Sequence, residues 1–208
     1  MKWKRFPLGS LWTNGYLLWD EDGVGFFVDP GGDPTDVFEW VDQHGIDVKA
    51  VILTHGHGDH IAGAAAMSER FGSDVWIHRE DEEMLCDRDK NLSSNLGTEC
   101  PAVVATGYLE EGVPLSVGRM DLQVIHTPGH TRGSCCVIVQ DGNDRLLLAG
   151  DTLFARSIGR TDLPGSVPGL MSGSLERVAS LDDDLIVLPG HGPETTIGTE
   201  RRENPFLS

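Results

Sequence analysis

Apolar residues fall along this chain in short runs, punctuated by glycine, proline and acidic residues, and only a few stretches switch to a helical period. Leu11 to Trp19 and Gly25 to Asp29 read as strands of a hairpin or meander that closes on the turn Pro30-Gly31-Gly32. Asp33 and Pro34 then supply an N-cap and a first-turn proline for a helix through Val37, Phe38, Trp40 and Val41, ending near Gly45. Val48 to Leu53 is the apolar run of a buried strand, and a small-residue helix follows from Ile61 to about Phe71. Next come a strand from Asp74 to His78 and a short acidic helix near Glu80 to Leu85. Residues 87–100 are polar and lack periodicity, which predicts a mobile loop. Strands resume at Leu122 to His126, Ser134 to Val139 and Leu146 to Ala149, and a helix from about Leu170 to Leu181 leads into a last strand, Leu185 to Leu188. The order is β-rich, βα, β-rich, αβ. It implies two sheets packed together with helices outside rather than one doubly wound sheet. No repeat or linker interrupts it, and 208 residues suit a single large domain, residues 1–208.

Charge narrows the partners. Sixteen Lys plus Arg against 33 Asp plus Glu leave a formal charge of -17, which repels phosphate backbones and anionic lipid surfaces, so nucleic acid and membrane are unexpected partners. No uninterrupted apolar run approaches the roughly 20 residues of a spanning helix. The basic start, Lys2, Lys4 and Arg5, is followed by Pro7, Gly9, Asn14 and Gly15, which break any signal core. Of the cysteines Cys86, Cys100, Cys135 and Cys136, none has C-x-x-C spacing, and the adjacent pair should point to opposite faces of a strand. We read them as reduced and the protein as cytoplasmic, although Cys86 and Cys100 could close a loop in a secreted chain.

The chemistry is concentrated in THGHGDH, Thr54 to His60, which places His55, His57, Asp59 and His60 in one loop whose glycines let near neighbours converge. Imidazole and carboxylate suit zinc, iron or manganese. A lone histidine is more often a packed or surface residue than a ligand, but this cluster reverses that order. Three later strand ends each carry one more metal-competent residue: His130 in HTPGHT, Asp151 in LLLAGDT and His191 in VLPGHG. One such turn would be unremarkable. Three, each after a β-like run, point to convergence on one site at the strand ends.

This ordered set, H-x-H-x-D-H followed by His, Asp and His, resembles the metallo-β-lactamase superfamily along nearly the whole chain. The resemblance implies a four-layer αββα sandwich and two divalent transition-metal ions, zinc by preference with iron or manganese possible. It further implies that His55, His57 and His130 hold the first ion, that Asp59, His60 and His191 hold the second, and that Asp151 bridges both, with Asp59 and Asp151 as the catalytic carboxylates. Asp29, in VDPGG, matches the family's early aspartate and is expected to orient the metal loop, with a turn-initiating role as the competing reading. His44 reads as a helix-end cap or surface residue and His78 as structural. His126 reads as either a neighbour of the ligands or part of the sheet.

Within the superfamily, the zinc β-lactamases typically carry cysteine at the bridging position, so Asp151 disfavours antibiotic hydrolysis. GDTLFARSIGRTDLPG and PGHGPETTIGTERRENPFL resemble the glyoxalase II group of thioesterases, and specifically its small members, since the chain stops where full-length glyoxalase II continues into a helical glutathione-binding domain. The implied substrate is a small-molecule thioester. A water held between two such ions sheds a proton near neutral pH and can attack the carbonyl, and a thiolate leaving group with a free pKa of about 8.5 needs no strong acid. Arg160 in SIGRTD stands where the group carries a basic residue that touches glutathione, and pairing with Asp162 is the competing reading. Three alternatives stay open: a mononuclear iron persulfide dioxygenase-like enzyme using His55, His130 and Asp151, a lactonase-like hydrolase, and a closed structural metal site. The oligomeric state has no signature in the sequence.

Overall fold

Strands that are apolar on both faces need a packing partner on each side, and stacking two sheets with helices outside provides both. In the computed structural model, which describes residues 1–97 and 99–207, these strands form two six-stranded sheets. The first contains, in spatial and chain order, β1 (Lys2–Leu8), β2 (Thr13–Trp19), β3 (Val24–Val28), β4 (Asp47–Ile52), β5 (Asp74–Ile77) and β6 (Gly107–Tyr108). β1 to β3 pair antiparallel and β3 to β6 parallel. Helix α1 (Thr35–His44), the short α2 (Gly58–Ile61) and α3 (Ala64–Phe71) fill the crossovers. After a 3-10 turn at Arg79–Leu85 and α4 (Ser93–Leu96), the second sheet is built from β7 (Leu115–Val117), β8 (Met120–His126), β9 (Cys135–Asp141) and β10 (Asp144–Gly150). A ribbon of β11 (Leu153–Phe154) and β12 (Ser157–Ile158) and helix α5 (Pro168–Ala179) precede β13 (Ile186–Pro189), β14 (Thr195–Thr196) and α6 (Ile197–Glu203). The second sheet's spatial order is β14-β13-β10-β9-β8-β7, parallel only between β10 and β13.

Side-chain alternation sorts neighbouring residues into three apolar layers. Leu17, Phe27 and Val51 face Val37, Val41 and Met67 of α1 and α3. Their neighbours Leu18, Phe26 and Ile52 turn the other way, into the space between the sheets, against Val124, Val137 and Leu148. Beyond the second sheet, Ile138 and Leu147 meet Met171, Leu175 and Val178 of α5. Cys135 lies in the middle layer and Cys136 in the outer one, the opposite faces their adjacency predicts. The architecture is therefore helix, sheet, sheet, helix, the four-layer sandwich the resemblance implied. None of the described helices is long and apolar enough to cross a membrane.

Several expectations shift. The strand expected from Leu11 begins at Thr13, and Leu11 and Trp12 are exposed in the preceding turn, Trp12 with φ 57°. Asp33 does not cap α1 directly. The helix starts at Thr35, one residue later than expected, with Pro34 at the cap position, and the Asp33 carboxylate accepts from the Thr35 amide and hydroxyl at 3.0 and 2.7 Å. β1 was not anticipated, because its alternation is disguised by Lys2, Lys4 and Arg5; it is an edge strand, where Pro7 costs no central ladder bond. Of the segment expected to be a mobile loop, residue 98 lies outside the described residues, and the part around Asn91 is tied to the body. Asn91 and Ser93 are buried, the Asn91 amide donates to the Met84 carbonyl at 2.8 Å, and its own carbonyl accepts from Gly58 at 2.7 Å. Polar side chains there satisfy buried backbone groups, which a search for apolar periodicity does not register.

Leu18 has no exposed surface in the layer between the sheets. Leu18→Ala is expected to lower unfolding stability by about 2–5 kcal/mol, read from urea denaturation at fixed metal concentration. A loss below 1 kcal/mol would mean that this layer is not a close-packed core.

Candidate metal centre

Four strands from both sheets end at the same edge of the sandwich, and each end delivers polar residues. β4 runs into Thr54 and the loop carrying His55 and His57, and α2 presents Asp59 and His60. His130 follows β8, Asp151 follows β10 and His191 follows β13. All seven come together in three overlapping groups whose ligand atoms lie within 4.8 Å of one another: His55, His57 and His130; Asp59, His60 and His191; and His55, His60 and Asp151, which joins the other two. Asp151 spans the gap with both oxygens. Its Oδ1 lies 3.3 Å from His60 Nε2, while its Oδ2 lies 3.5 Å from His130 Nε2 and 3.6 Å from His191 Nε2. Asp59 Oδ2 lies 3.3 Å from His191 Nε2 and accepts the Thr13 hydroxyl at 3.2 Å. Two glycines make the convergence sterically possible. A Cβ on Gly150, which sits at φ 47°, would stand 2.4 Å from Thr54 Oγ1, and one on Gly190 would stand 2.3 Å from Asp151 Oδ1.

The hydrogen bonds around the cluster tell which nitrogens face inward. Thr54 Oγ1 donates to Asp29 Oδ2 at 2.7 Å, so toward His55 Nδ1, at 3.2 Å, it acts as acceptor. Asp29 Oδ2 also takes His60 Nδ1 at 3.0 Å, and the Arg160 carbonyl takes His130 Nδ1 at 2.7 Å. Each of these three rings thus spends its Nδ1 proton on a scaffold oxygen and turns its Nε2 toward the cluster. There acceptors outnumber donors. His57 Nδ1 lies 2.9 Å from His130 Nε2 and His60 Nε2 lies 3.3 Å from His191 Nε2, while His55 Nε2, His57 Nε2 and Asp151 Oδ1 are buried without a hydrogen-bond partner. Orphaned buried acceptors are costly unless a cation lies among them, so the donor set fits divalent metal ions.

Protonation follows the same geometry. Burial, and then the positive charge His60 carries, holds His55 well below the usual imidazole range, and burial with His130 nearby brings His57 down to about 3. Burial would also depress His60, but Asp151, Asp59 and Asp29 outweigh it and raise its pKa well above the usual value. Burial opposes ionisation of Asp59 and Asp151, yet the surrounding imidazoles, His60 first, keep both below the carboxylate range. Metal-free, Asp59 and Asp151 are thus ionised, His55 and His57 neutral and His60 protonated, and metal binding would displace the His60 proton.

One organising residue has no signature among the metal-ligand motifs. Asp81, in the 3-10 turn, is 1% exposed and accepts from Gly56 N at 3.0 Å, Gly133 N at 2.7 Å and Thr131 Oγ1 at 2.6 Å. It thereby ties the His55–His57 loop to the loop that carries His130. Burial raises its pKa against the pull of those three donors. Its signal in the sequence is subtle: it shares a helical stripe with the buried Met84 and Leu85, so a carboxylate stands where an apolar residue is expected.

The other candidates separate as follows. Asp29, 2% exposed and at φ 50°, accepts the Thr54 amide at 2.8 Å besides holding His60, which favours the orienting role over the turn role. Arg160 lines the cavity of about 460 Å³ beside the cluster, but its guanidinium makes two parallel hydrogen bonds to Asp162, at 2.8 and 2.9 Å, so that pair presents no net charge to a substrate. What Arg160 gives the site is its carbonyl, on His130. His126 stacks on His78, ring centroids 4.0 Å apart, and bonds the Arg132 carbonyl, so neither enters the cluster. His44 caps α1, its Nδ1 2.8 Å from the Trp40 carbonyl.

The family model described as the metallo-β-lactamase superfamily matches residues 12–191. The chain belongs to that superfamily. Among curated relatives of this superfamily chain, a probable metallo-hydrolase of Bacillus subtilis, YqgX, is 37% identical over 100% of this chain and 98% of its own length. Hydroxyacylglutathione hydrolase GloC of Haemophilus influenzae is 32% identical over 97% of this chain and 96% of its own. Of solved structures, the B3 metallo-β-lactamase BLEG-1 superposes with TM-score 0.92 at 37% identity, covering 100% of both chains. TTHA1623, solved in a di-iron-bound form, superposes with TM-score 0.87 at 35% identity, over 98% of this chain and 100% of its own. Metallo-β-lactamase superfamily proteins bind divalent metals, in keeping with the donor set at this strand edge.

Asp81→Ala strips the acceptor from two buried amides and a hydroxyl, and each buried donor left unpaired costs about 1–3 kcal/mol. The variant is expected to lose stability on that scale and to release metal about 10- to 100-fold more readily, the usual effect of removing a group that orients ligands. Competition with a chelator and thermal melts of loaded and metal-free protein measure both. Wild-type chelator resistance would show that the two loops hold their geometry without it.

Proposed function

We propose that this chain, a metal-dependent hydrolase by family, is a thioesterase of the hydroxyacylglutathione hydrolase type with a binuclear centre. His55, His57 and His130 hold one ion, Asp59, His60 and His191 the other, and Asp151 bridges them. Zinc is the expected metal, and the di-iron form of TTHA1623 makes iron the second choice. Bound there, two divalent ions supply an acidified water and a Lewis acid for the substrate carbonyl.

The chain's own residues do the rest. Asp59 Oδ2, aligned by the Thr13 hydroxyl and faced by His191, is the carboxylate nearest the open side of the cluster. Asp29, Thr54 and the Arg160 carbonyl hold three imidazoles with Nε2 turned into the cluster, so the rings need no reorientation when the site fills and His60 has only to give up its proton. Leu11, Phe154, Ile158 and Leu163 form the apolar part of the cavity wall, which shields an acyl group from bulk water. The observation that carries the thioester reading is the chemistry of that wall. Among the described residues lining it, apart from the cluster itself, Arg160 is the only ionisable side chain, and Asp162 neutralises it. Nothing else on the wall is placed to protonate a leaving group. A thiolate departs without such help, whereas an amine or alkoxide does not. The 32% identity to GloC over nearly the full length of both chains supports the same substrate class. Likeness to BLEG-1 makes a β-lactam the second reading, since opening that strained amide is the activity its name states.

Purified protein is expected to hold close to two metal ions per chain and to hydrolyse S-lactoylglutathione faster than a chromogenic cephalosporin. Asp151→Ala should lower both metal content and rate, and His191→Ala should lose one ion while the circular dichroism spectrum stays that of wild type. One iron per chain with oxygen uptake would support the dioxygenase reading instead, and rapid cephalosporin opening would support the β-lactamase one. Arg160→Ala is expected to change KM by no more than about fivefold, the equivalent of about 1 kcal/mol, because the guanidinium is already occupied by Asp162.

A further inference from the structure

In so acidic a protein most cations near the site are already matched. Lys90 meets Glu83 and Asp87, Arg79 lies 3.7 Å from Glu110 and 3.9 Å over the Tyr108 ring, Arg160 holds Asp162, and Arg177 holds Glu111. Arg132 differs. It is exposed, its carbonyl is bonded to His126, and among the described residues its guanidinium has no acceptor. Its place is nonetheless fixed, because the residues on either side are held by the buried Asp81, through the Thr131 hydroxyl at 2.6 Å and the Gly133 amide at 2.7 Å. A Cβ on Gly133 would sit 2.7 Å from the Asp81 carboxyl carbon, so the loop lies close against it. The one unpaired guanidinium of this region thus stands two residues beyond His130, on a loop anchored to the metal-ligand scaffold.

Arg132 also faces a space large enough to hold part of a ligand. With Met84, Thr131 and Pro164 it lines a cavity of about 870 Å³, and Pro164 also lines the cavity of about 460 Å³ at the cluster. A substrate with its acyl carbon at the cluster and its thiol half crossing Pro164 would enter this second space. The carboxylates along that wall restrict what it accepts. Asp81 is committed to three donors, and Glu83 and Asp87 are paired with Lys90, but Glu80 and Asp89 are exposed. A polyphosphate carrier would meet those two carboxylates with like charge. A peptide-like thiol with an α-amino acid end brings a carboxylate for Arg132 and an ammonium that the acids tolerate.

We propose that Arg132 anchors a carboxylate on the thiol half of the substrate, and that the cavity it lines is the subsite for a zwitterionic, peptide-like thiol. The inference rests on the thioester reading for the identity of the reaction, but binding tests it separately. Zinc-loaded protein is titrated calorimetrically with S-hexylglutathione, an uncleavable thioether with both carboxylates free, and with its dimethyl ester, which keeps the shape and the ammonium. Wild type is expected to bind the free acid about tenfold more tightly, equivalent to about 1.4 kcal/mol. Arg132→Ala should erase that preference and Arg132→Lys should keep part of it, since an ammonium retains the charge without the planar fork. Thermal melts and metal content of the variants should match wild type, because the replaced side chain is exposed. A wild type that does not prefer the acid, or an Arg132→Ala variant that still does, overturns the proposal. Hydrolysis of S-lactoylglutathione is followed with the same preparations. An Arg132-dependent preference without hydrolysis would leave the subsite standing and remove the thioesterase reading, and hydrolysis without that dependence would do the reverse.

Discussion

Burying imidazoles and carboxylates at the edge of a sandwich is tolerable only if every polar atom not meant for the metal is satisfied by the protein, and that requirement organises the whole edge. Asp29 takes three donors, from the Thr54 amide, the Thr54 hydroxyl and His60. It adopts φ 50° while doing so, a conformation a non-glycine residue accepts only where its surroundings hold it. Through Thr54 the same carboxylate reaches His55, so the two histidines that share a group with Asp151 are oriented by one buried acid. The Arg160 carbonyl does the corresponding work for His130. What remains unsatisfied faces inward, where a cation would complete it.

The fold exists to bring these satisfied backs together. Ligands arise from both sheets, so the distance between them depends on the apolar layer that separates the sheets, filled by Leu18, Phe26, Ile52, Val137 and Leu148. A change in that layer would shift β4 against β10 and therefore His55 and His57 against Asp151. Asp81 provides a second link that does not pass through the core, joining two ligand loops directly through backbone amides. Packing sets the coarse separation, and these directional bonds set the fine one.

Much of this was legible because ligand chemistry and strand ends are both local signals. THGHGDH, HTPGH, AGDT and PGHG each follow an apolar run, and all seven expected ligands do lie together. The paired residues such as Leu17 and Leu18, or Cys135 and Cys136, already state that the strands are covered on both faces. What sequence conceals is which of a residue's groups is used and which member of a charged run is buried. Arg160 was expected to act through its guanidinium, and acts on His130 through a carbonyl that any residue possesses. Asp81 stands in Arg79-Glu80-Asp81-Glu82-Glu83, where only the winding of the turn selects one acid for the interior. β1 was hidden by its lysines, although the Lys4 ammonium stands over the rings of Phe6 and Trp40, its Nζ 5.2 and 5.4 Å from their centroids.

The formal charge of -17 and the anionic substrate proposed above look opposed until the positions of the charges are considered. Long-range repulsion between a carboxylate ligand and the acidic surface is damped within a Debye length of about 8 Å at physiological salt, whereas contacts inside a cavity are screened far less. The local sign then decides the outcome. At the cluster two divalent ions would contribute four positive charges against Asp59, Asp151 and the buried Asp29, leaving the bound site net cationic by one until a water is deprotonated. Along the neighbouring wall, acids matched by Lys90 or buried in hydrogen bonds contribute little field, and Arg132 stands unmatched among them. An overall acidic chain can thus present a positive path from the metals to one arginine, and the surrounding carboxylates act against polyanions more strongly than against a zwitterion. Selectivity among thiol carriers would then arise from charge placement on a short stretch of wall between Thr131 and Gly133, the same stretch that Asp81 fixes to the metal loop.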